Sequence, residues 1–87
     1  MKRYDEALEV FNYILTIYPN HHDIWFKKSY TLNKLERFDE ALVAIEKVLQ
    51  LKSKQRRALK ANKQIKENIE KKNTLTIKAI NIKDQAF

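Results

Sequence analysis

The fold of this chain is decided by YDEALEVFNYILTIYPN at residues 4–20, which returns thirty-four positions later as FDEALVAIEKVLQLKSK at residues 38–54. The first five letters differ at one position, and the apolar residues that follow stay in step. A fixed period of this size, with a helical pattern inside each unit, is typical of stacked helical repeats, whose units bury their apolar faces against neighbours. We therefore predict an all-α protein built from such repeats.

Within each copy the apolar residues recur at intervals of three and four, which places them on one side of an α-helix. Pro19 ends the first helix, because proline lacks a backbone donor and disfavours helical angles in the residue before it. We expect Asn20 to cap the next helix, with Asp23 as its partner three residues on. A stripe of mainly apolar residues at helical spacing, from near Trp25 to near Glu36, predicts a second helix. A short turn joins it to the second copy of the repeat.

Aromatic and small residues recur in a definite order along these helices. The full repeat contributes Trp25, Ser29, Leu32, Phe38, Ala41 and Ile45, and the preceding half-repeat contributes Tyr4, Ala7, Phe11 and Pro19. In this order and spacing the chain resembles the tetratricopeptide repeat family over roughly residues 1 to 70. The resemblance implies antiparallel helix–turn–helix repeats, stacked as a short right-handed α-solenoid that acts as a protein-interaction scaffold.

Three positions depart from the family pattern. Lys28 stands where the family usually has leucine, Glu36 where glycine makes the turn between helices, and Ser53 where proline ends the unit. The chain contains no glycine at all, so every turn must be built by residues for which left-handed backbone angles are costly. The core stripe is intact, and the fold prediction stands.

The period divides the chain into unequal parts. Residues 1–72 are expected to form the helical array: the second helix of a partial repeat at 4–18, a full repeat at 22–53 and a capping helix at 54–72. Residues 73–87 are expected to be a weakly helical or flexible tail, although three alternating apolar residues there also allow a strand. The partial repeat lacks its first helix, which indicates a piece of a longer array or, alternatively, a helix that a second copy of the chain covers.

Length and composition exclude several classes of protein. At 87 residues the chain buries only about three-fifths of its unfolded surface. No segment is apolar enough to span a membrane, and the N-terminus does not read as a signal peptide, so we expect a cytoplasmic protein. Without cysteine, disulfides and thiolate sites are excluded, and without glycine, phosphate-binding loops and nucleophile elbows are excluded. We predict neither enzymatic activity nor a cofactor.

Two neighbouring histidines, His21 and His22, are weak candidates for a metal site. They supply at most two ligands, and no cysteine or further histidine completes a tetrahedral shell. An exposed linker is the better interpretation, and we predict no metal.

The exposed aromatic residues of the full repeat are better candidates for binding. In the family that the chain resembles, the positions of Phe26 and Tyr30 face a concave groove that holds a peptide or a partner helix. Alternatively, in so short an array they cover a neighbouring repeat. The lysine and asparagine with which some family members clamp a terminal carboxylate are not matched here. The predicted partner-binding residues are Phe26, Tyr30, Asn33, Lys34, Lys60 and Gln64.

Charge is concentrated towards the C-terminus. Residues 1–50 carry seven Lys/Arg against eight Asp/Glu, whereas residues 51–87 carry eleven against three. Such a concentration of positive charge attracts nucleic acid or an anionic surface, but a solvated capping helix is the favoured explanation, because a helical nucleic-acid reader is expected to show more than charge alone. We predict a protein or peptide partner first, and an electrostatic adaptor for nucleic acid as the alternative. The basic patch consists of Lys52, Lys54, Arg56, Arg57, Lys60, Lys63 and Lys66.

Overall fold

Four helices, joined by short turns, make up the part of the chain that is described. The computed structural model covers the backbone of residues 3–85 and the side chains of residues 3–80. The helices are α1 (Tyr4–Ile17), α2 (His22–Lys34), α3 (Phe38–Leu51) and α4 (Arg56–Gln85). Each packs on the next along the chain, and α2 also touches α4. The prediction of an all-α stack of antiparallel hairpins is confirmed.

The core lies on both sides of α3, which is packed between α2 and α4. Its inward residues are almost completely buried, and Leu32 from α2 and Ala58 and Ile65 from α4 meet them. Burial of these apolar surfaces provides the main stabilisation, at about 25 cal/mol per Å² removed from water. The buried residues of α3 are Ala41, Ala44, Ile45 and Val48.

Ser29 and Trp25 position α2 between its neighbours. Ser29 is 1% exposed, and its hydroxyl donates to the Phe26 carbonyl at 2.7 Å, so the small side chain leaves room for close helix packing without an unpaired polar group. The Trp25 indole N–H donates to the Pro19 carbonyl at 2.7 Å and ties α2 to the turn before it. The Lys28 ammonium lies 5.0 Å from the centre of the Trp25 ring, which gives the unexpected lysine at this position a cation–π contact.

The cap of α2 differs from the prediction. The N-cap residue is His21, whose Nδ1 accepts a hydrogen bond from the Ile24 N–H at 3.4 Å, and not Asn20. Asn20 instead belongs to the turn after Pro19. The preference for asparagine as an N-cap predicts a helix that begins directly after Asn20. The helix begins one residue later, because His21 Nδ1 accepts the hydrogen bond from the Ile24 N–H.

An Arg-x-x-Glu pair begins both copies of the repeat. Arg37 donates to Glu40 at 2.6 and 2.9 Å, and Arg3 donates to Glu6 at 3.4 Å. The Arg37 hydrogen bonds lower the pKa of Glu40 and raise the pKa of Arg37. In neither case does the N-cap side chain bond the helix backbone, so these ion pairs across the first turn take the place of an ordinary capping box.

The predicted end of the capping helix at residue 72 is not present. Helix α4 is continuous to Gln85, so residues 73–85 of the predicted tail extend the helix, and neither a turn nor a strand separates them from it. Residues 1–2 of the predicted array and 86–87 of the predicted tail lie outside the described residues, as do the side chains of 81–85.

The turn between α2 and α3 places a residue other than glycine in the left-handed region. Glu36 has φ of 60°. The N–H of Arg37 bonds the Leu32 carbonyl at 2.9 Å, and the N–H of Glu36 bonds the Asn33 carbonyl at 3.1 Å. This pair of bonds is a Schellman motif, whose left-handed position usually carries glycine because a Cβ there is unfavourable.

Replacement of Glu36 by glycine is therefore expected to stabilise the fold. Relief of the left-handed strain exceeds the extra freedom of glycine in the unfolded chain, and we expect Glu36→Gly to raise the free energy of unfolding by about 1 kcal/mol. Urea denaturation followed by circular dichroism measures the change. Glu36→Ala removes the same carboxylate but keeps the Cβ, and an equal gain in that variant would contradict the explanation by backbone strain.

Two valines of α3 give a matched test of the core. Val48 is 0% exposed and Val43 is 66% exposed. We expect Val48→Ala to lower the free energy of unfolding by about 2 kcal/mol, since it removes buried methyl groups and leaves a cavity. Val43→Ala should be close to neutral, because it removes solvated surface and improves helix propensity. Similar losses in both variants, measured by the same denaturation, would show that α3 is not packed between two helices.

Candidate functional site

Helices α2 and α4 contribute side chains to one shared surface. They are consecutive first helices of two repeats, and the α3 hairpin brings them into contact. The Arg57 guanidinium at the start of α4 lies 5.1 Å from the centre of the Phe26 ring. This cation–π contact joins the two helices at one end of the surface.

A cavity of about 540 Å³ opens beside this contact. Phe26 and Tyr30 are part of its wall, and Phe11 of α1 extends the wall on the other side. Tyr30 is 50% exposed, and the Lys34 ammonium lies 5.4 Å from the centre of its ring. Aromatic rings that stay accessible next to cations suit a ligand with an apolar side chain. The remaining lining residues are Asp23, Lys27, Thr31, Gln55 and Arg57.

Farther along the same two helices, three amides form a hydrogen-bonded chain. The Gln64 amide donates to the side-chain oxygen of Asn68 at 3.1 Å, and the Asn68 amide donates to that of Asn33 at 3.0 Å. The second of these bonds joins residues thirty-five positions apart and fixes α2 against α4. Asn33 thus holds the two helices together. The remaining donors and acceptors of the three side-chain amides can orient the backbone of a bound peptide.

The structure divides the six predicted partner-binding residues into two groups. Phe26 and Tyr30 line the aromatic cavity, with Lys34 stacked on Tyr30. Lys60 and Gln64 border a separate depression on α4, together with Lys63 and Glu67. Asn33 connects the groups through Asn68. The six residues follow one helix pair but do not line a single cavity.

Sequence reasoning missed several contributors to this surface. Besides Phe11 and Asn68, they are Asp23, Lys27, Thr31 and Gln55. Phe11 has the spacing of a core residue, and only the structure leaves it half-buried at the edge of the cavity. Asn68 stands one period after Lys34, so the repeat itself could have indicated it. Arg57 was predicted as part of the basic patch, whereas the structure also places it over Phe26.

The residues of the basic patch are all exposed. They occupy the loop after α3 and the first three turns of α4. Ala58, Ala61 and Ile65 turn towards α3, and the helical spacing puts Arg56, Lys60 and Lys63 on the opposite side of α4. Among the side chains of residues 3–80, none of the seven forms a salt bridge with a carboxylate, so their charge is available to solvent.

Residues 3–80 give little evidence for a metal site or for a membrane-spanning helix. His22 Nδ1 lies 3.2 Å from a carboxylate oxygen of Asp23, but within that range no cluster of three or more potential metal ligands occurs. His21 is occupied as the cap of α2. No helix in the described part of the chain combines the length and the apolar character needed to cross a membrane.

This geometry is that of a helical-repeat protein in which the first helix of each repeat, here α2 and α4, contributes to an open surface. The tetratricopeptide repeat family model matches residues 1–65, three-quarters of the chain, and the protein belongs to that family. Comparison with curated proteins and with solved structures finds no match. The family resemblance inferred from the thirty-four-residue period is thereby confirmed.

Proposed function

We propose that the chain is a non-enzymatic interaction module that holds a peptide or helix of a partner protein on the surface between α2 and α4. Tetratricopeptide repeats in general mediate protein–protein interaction, and that general role is the starting point. The observation that carries the specific proposal is the aromatic cavity at Phe26 and Tyr30, which is lined from three helices and flanked by cations.

The chemistry of the cavity favours one class of ligand. Phe11, Phe26 and Tyr30 offer rings to an apolar side chain, while Lys27 and Arg57 stand on its wall against the single carboxylate of Asp23. A segment with an apolar anchor next to an acidic residue matches this arrangement. The amide chain at Asn33, Asn68 and Gln64 lies farther along the helices and can bond the ligand backbone.

Loss of either aromatic anchor should weaken binding strongly without unfolding the protein. Peptides selected from a displayed random library against the wild-type chain are titrated by fluorescence polarisation. We expect Tyr30→Ala and Phe26→Ala each to weaken binding at least about tenfold, as truncation of an interface anchor does. The helical circular-dichroism signal should stay the same.

Tyr13 supplies the matched control. It is a tyrosine on α1, 68% exposed and outside the cavity, so Tyr13→Ala should leave the affinity of the same peptides unchanged. Equal affinity of the peptides for wild type and Tyr30→Ala would refute the site, and a library that yields no binder would count against the function itself.

The basic patch supports the alternative function, an electrostatic adaptor for nucleic acid or an anionic surface. Its seven cations are exposed and without salt-bridge partners among the described side chains. A contact of this kind depends on the release of counterions and has no need of the aromatic cavity.

Salt dependence tests this alternative. With a labelled single-stranded DNA as probe, we expect affinity to fall with salt at a logarithmic slope of about −0.7 per phosphate contacted. Lys60→Gln with Lys63→Gln should reduce that slope, whereas Lys47→Gln, outside the patch, should not. Absent or salt-independent binding of the DNA removes the alternative.

A further inference from the structure

Arg57 lines the aromatic cavity without a carboxylate partner. Among the side chains of residues 3–80 it forms no salt bridge, and the chain has no acidic residue between Glu46 and Glu67. Arg3 and Arg37 each bond a glutamate three residues later, whereas the residue three positions after Arg57 is a lysine. The guanidinium of Arg57 is therefore free to bond an acidic group that comes from a ligand.

The other charges on the cavity wall have opposite charges near them on α2. Lys27 follows Asp23 by four residues, the spacing at which opposite charges on one helix attract. His22 Nδ1 also lies 3.2 Å from the Asp23 carboxylate. Arg57 comes from α4, and it is the wall cation whose charge no residue of its own helix offsets.

In the free chain Arg57 lies over an aromatic ring. Its guanidinium is 5.1 Å from the centre of the Phe26 ring, and Phe26 is half-buried against the edge of the core. Arg57 thus covers part of the ring surface that the core leaves accessible. An exposed cation–π contact is weak, whereas the planar guanidinium forms two parallel, charge-assisted hydrogen bonds with a carboxylate. A carboxylate that reaches the cavity therefore draws Arg57 away from the ring.

We propose that Arg57 selects acidic ligands by an exchange of partners: it covers Phe26 in the free chain and bonds an aspartate or glutamate of the bound segment in the complex. The inference rests on the proposed function, because it places a peptide in the cavity. When the guanidinium leaves the ring, the apolar anchor of an acidic ligand gains contact with Phe26 in addition to Tyr30. A neutral ligand offers Arg57 no new partner and competes with it for the ring.

Two matched peptides test the selection. The probes are the tightest-binding peptide from the displayed library and the same peptide with the acidic residue beside its apolar anchor changed to the corresponding amide. We expect the wild-type chain to prefer the acidic peptide by about tenfold in fluorescence polarisation, since the amide cannot form the charge-assisted pair. A tightest binder that has no acidic residue beside its anchor contradicts the inference.

Arg57→Gln should change the two affinities in different directions. The affinity for the acidic peptide should fall at least about tenfold, because its carboxylate loses a partner. The affinity for the amide peptide should stay the same or rise, because no cation competes for Phe26. Arg57→Lys keeps the charge without the planar pair of donors and should retain only part of the preference. A residue that served the fold alone would weaken both peptides alike.

Arg56→Gln is the matched control. It removes the same charge one residue earlier, from a side chain that does not line the cavity. A preference of about fivefold or more should remain, because the attraction of one exposed, distant charge is screened by salt. If Arg56→Gln and Arg57→Gln lost the preference equally, general attraction to the basic patch would explain it, and the assigned role of Arg57 would be wrong.

Failure of the inference is distinct from failure of the proposed function. If both peptides lose affinity for Tyr30→Ala but bind the wild-type chain equally well, the cavity is the site and Arg57 does not select. The same conclusion follows if Arg57→Gln keeps the full preference for the acidic peptide. If no peptide of the library binds the wild-type chain, the function fails and the inference fails with it.

Discussion

The structure depends on the burial of α3 between α2 and α4. An amphipathic helix of fourteen residues is marginal on its own, and α3 is stabilised because two neighbours remove its apolar residues from water. Ile45 and Val48, both 0% exposed, are the centre of this arrangement. Among the described residues, helix α1 has nearly the same sequence pattern but one neighbour fewer, and the equivalent residues Phe11 and Ile14 are only partly buried. Whether a residue is core or surface here depends on the count of neighbouring helices.

The candidate site is a consequence of the same packing. Because α3 holds α2 and α4 side by side, residues about one period apart in sequence come within contact distance, as Asn33 and Asn68 do. Tyr30 stays on the surface, whereas Phe26 is half-buried and packs against the edge of the core. Arg57 approaches Phe26 because α4 starts beside the start of α2. A stack of rigid helices thus presents side chains that no single helix could bring together. This is the physical basis on which helical repeats serve as docking surfaces.

The absence of glycine explains features of the turns that differ from the family pattern. Glu36 adopts a left-handed conformation that glycine would adopt more easily, and its backbone hydrogen bonds hold it there. The first turns of α1 and α3 are held by arginine–glutamate pairs, since neither helix has a side-chain cap. The lysine at position 28 finds a place over the Trp25 ring. The departures at positions 28 and 36 thus each have a local contact that compensates for them.

The sequence by itself determined the helical class, the repeat length and the family. Periodicity of three and four within a thirty-four-residue unit leaves few other ways to bury the apolar residues. It also predicted Phe26 and Tyr30 as accessible aromatic residues, of which Tyr30 is exposed and Phe26 is half-buried. Only the tertiary structure decided that Phe11 lies at the edge of a cavity, that Asn68 links Asn33 to Gln64, and that α4 continues past residue 72. These features depend on which neighbour is present in space, and a periodic pattern specifies which face of a helix is apolar without specifying what covers it.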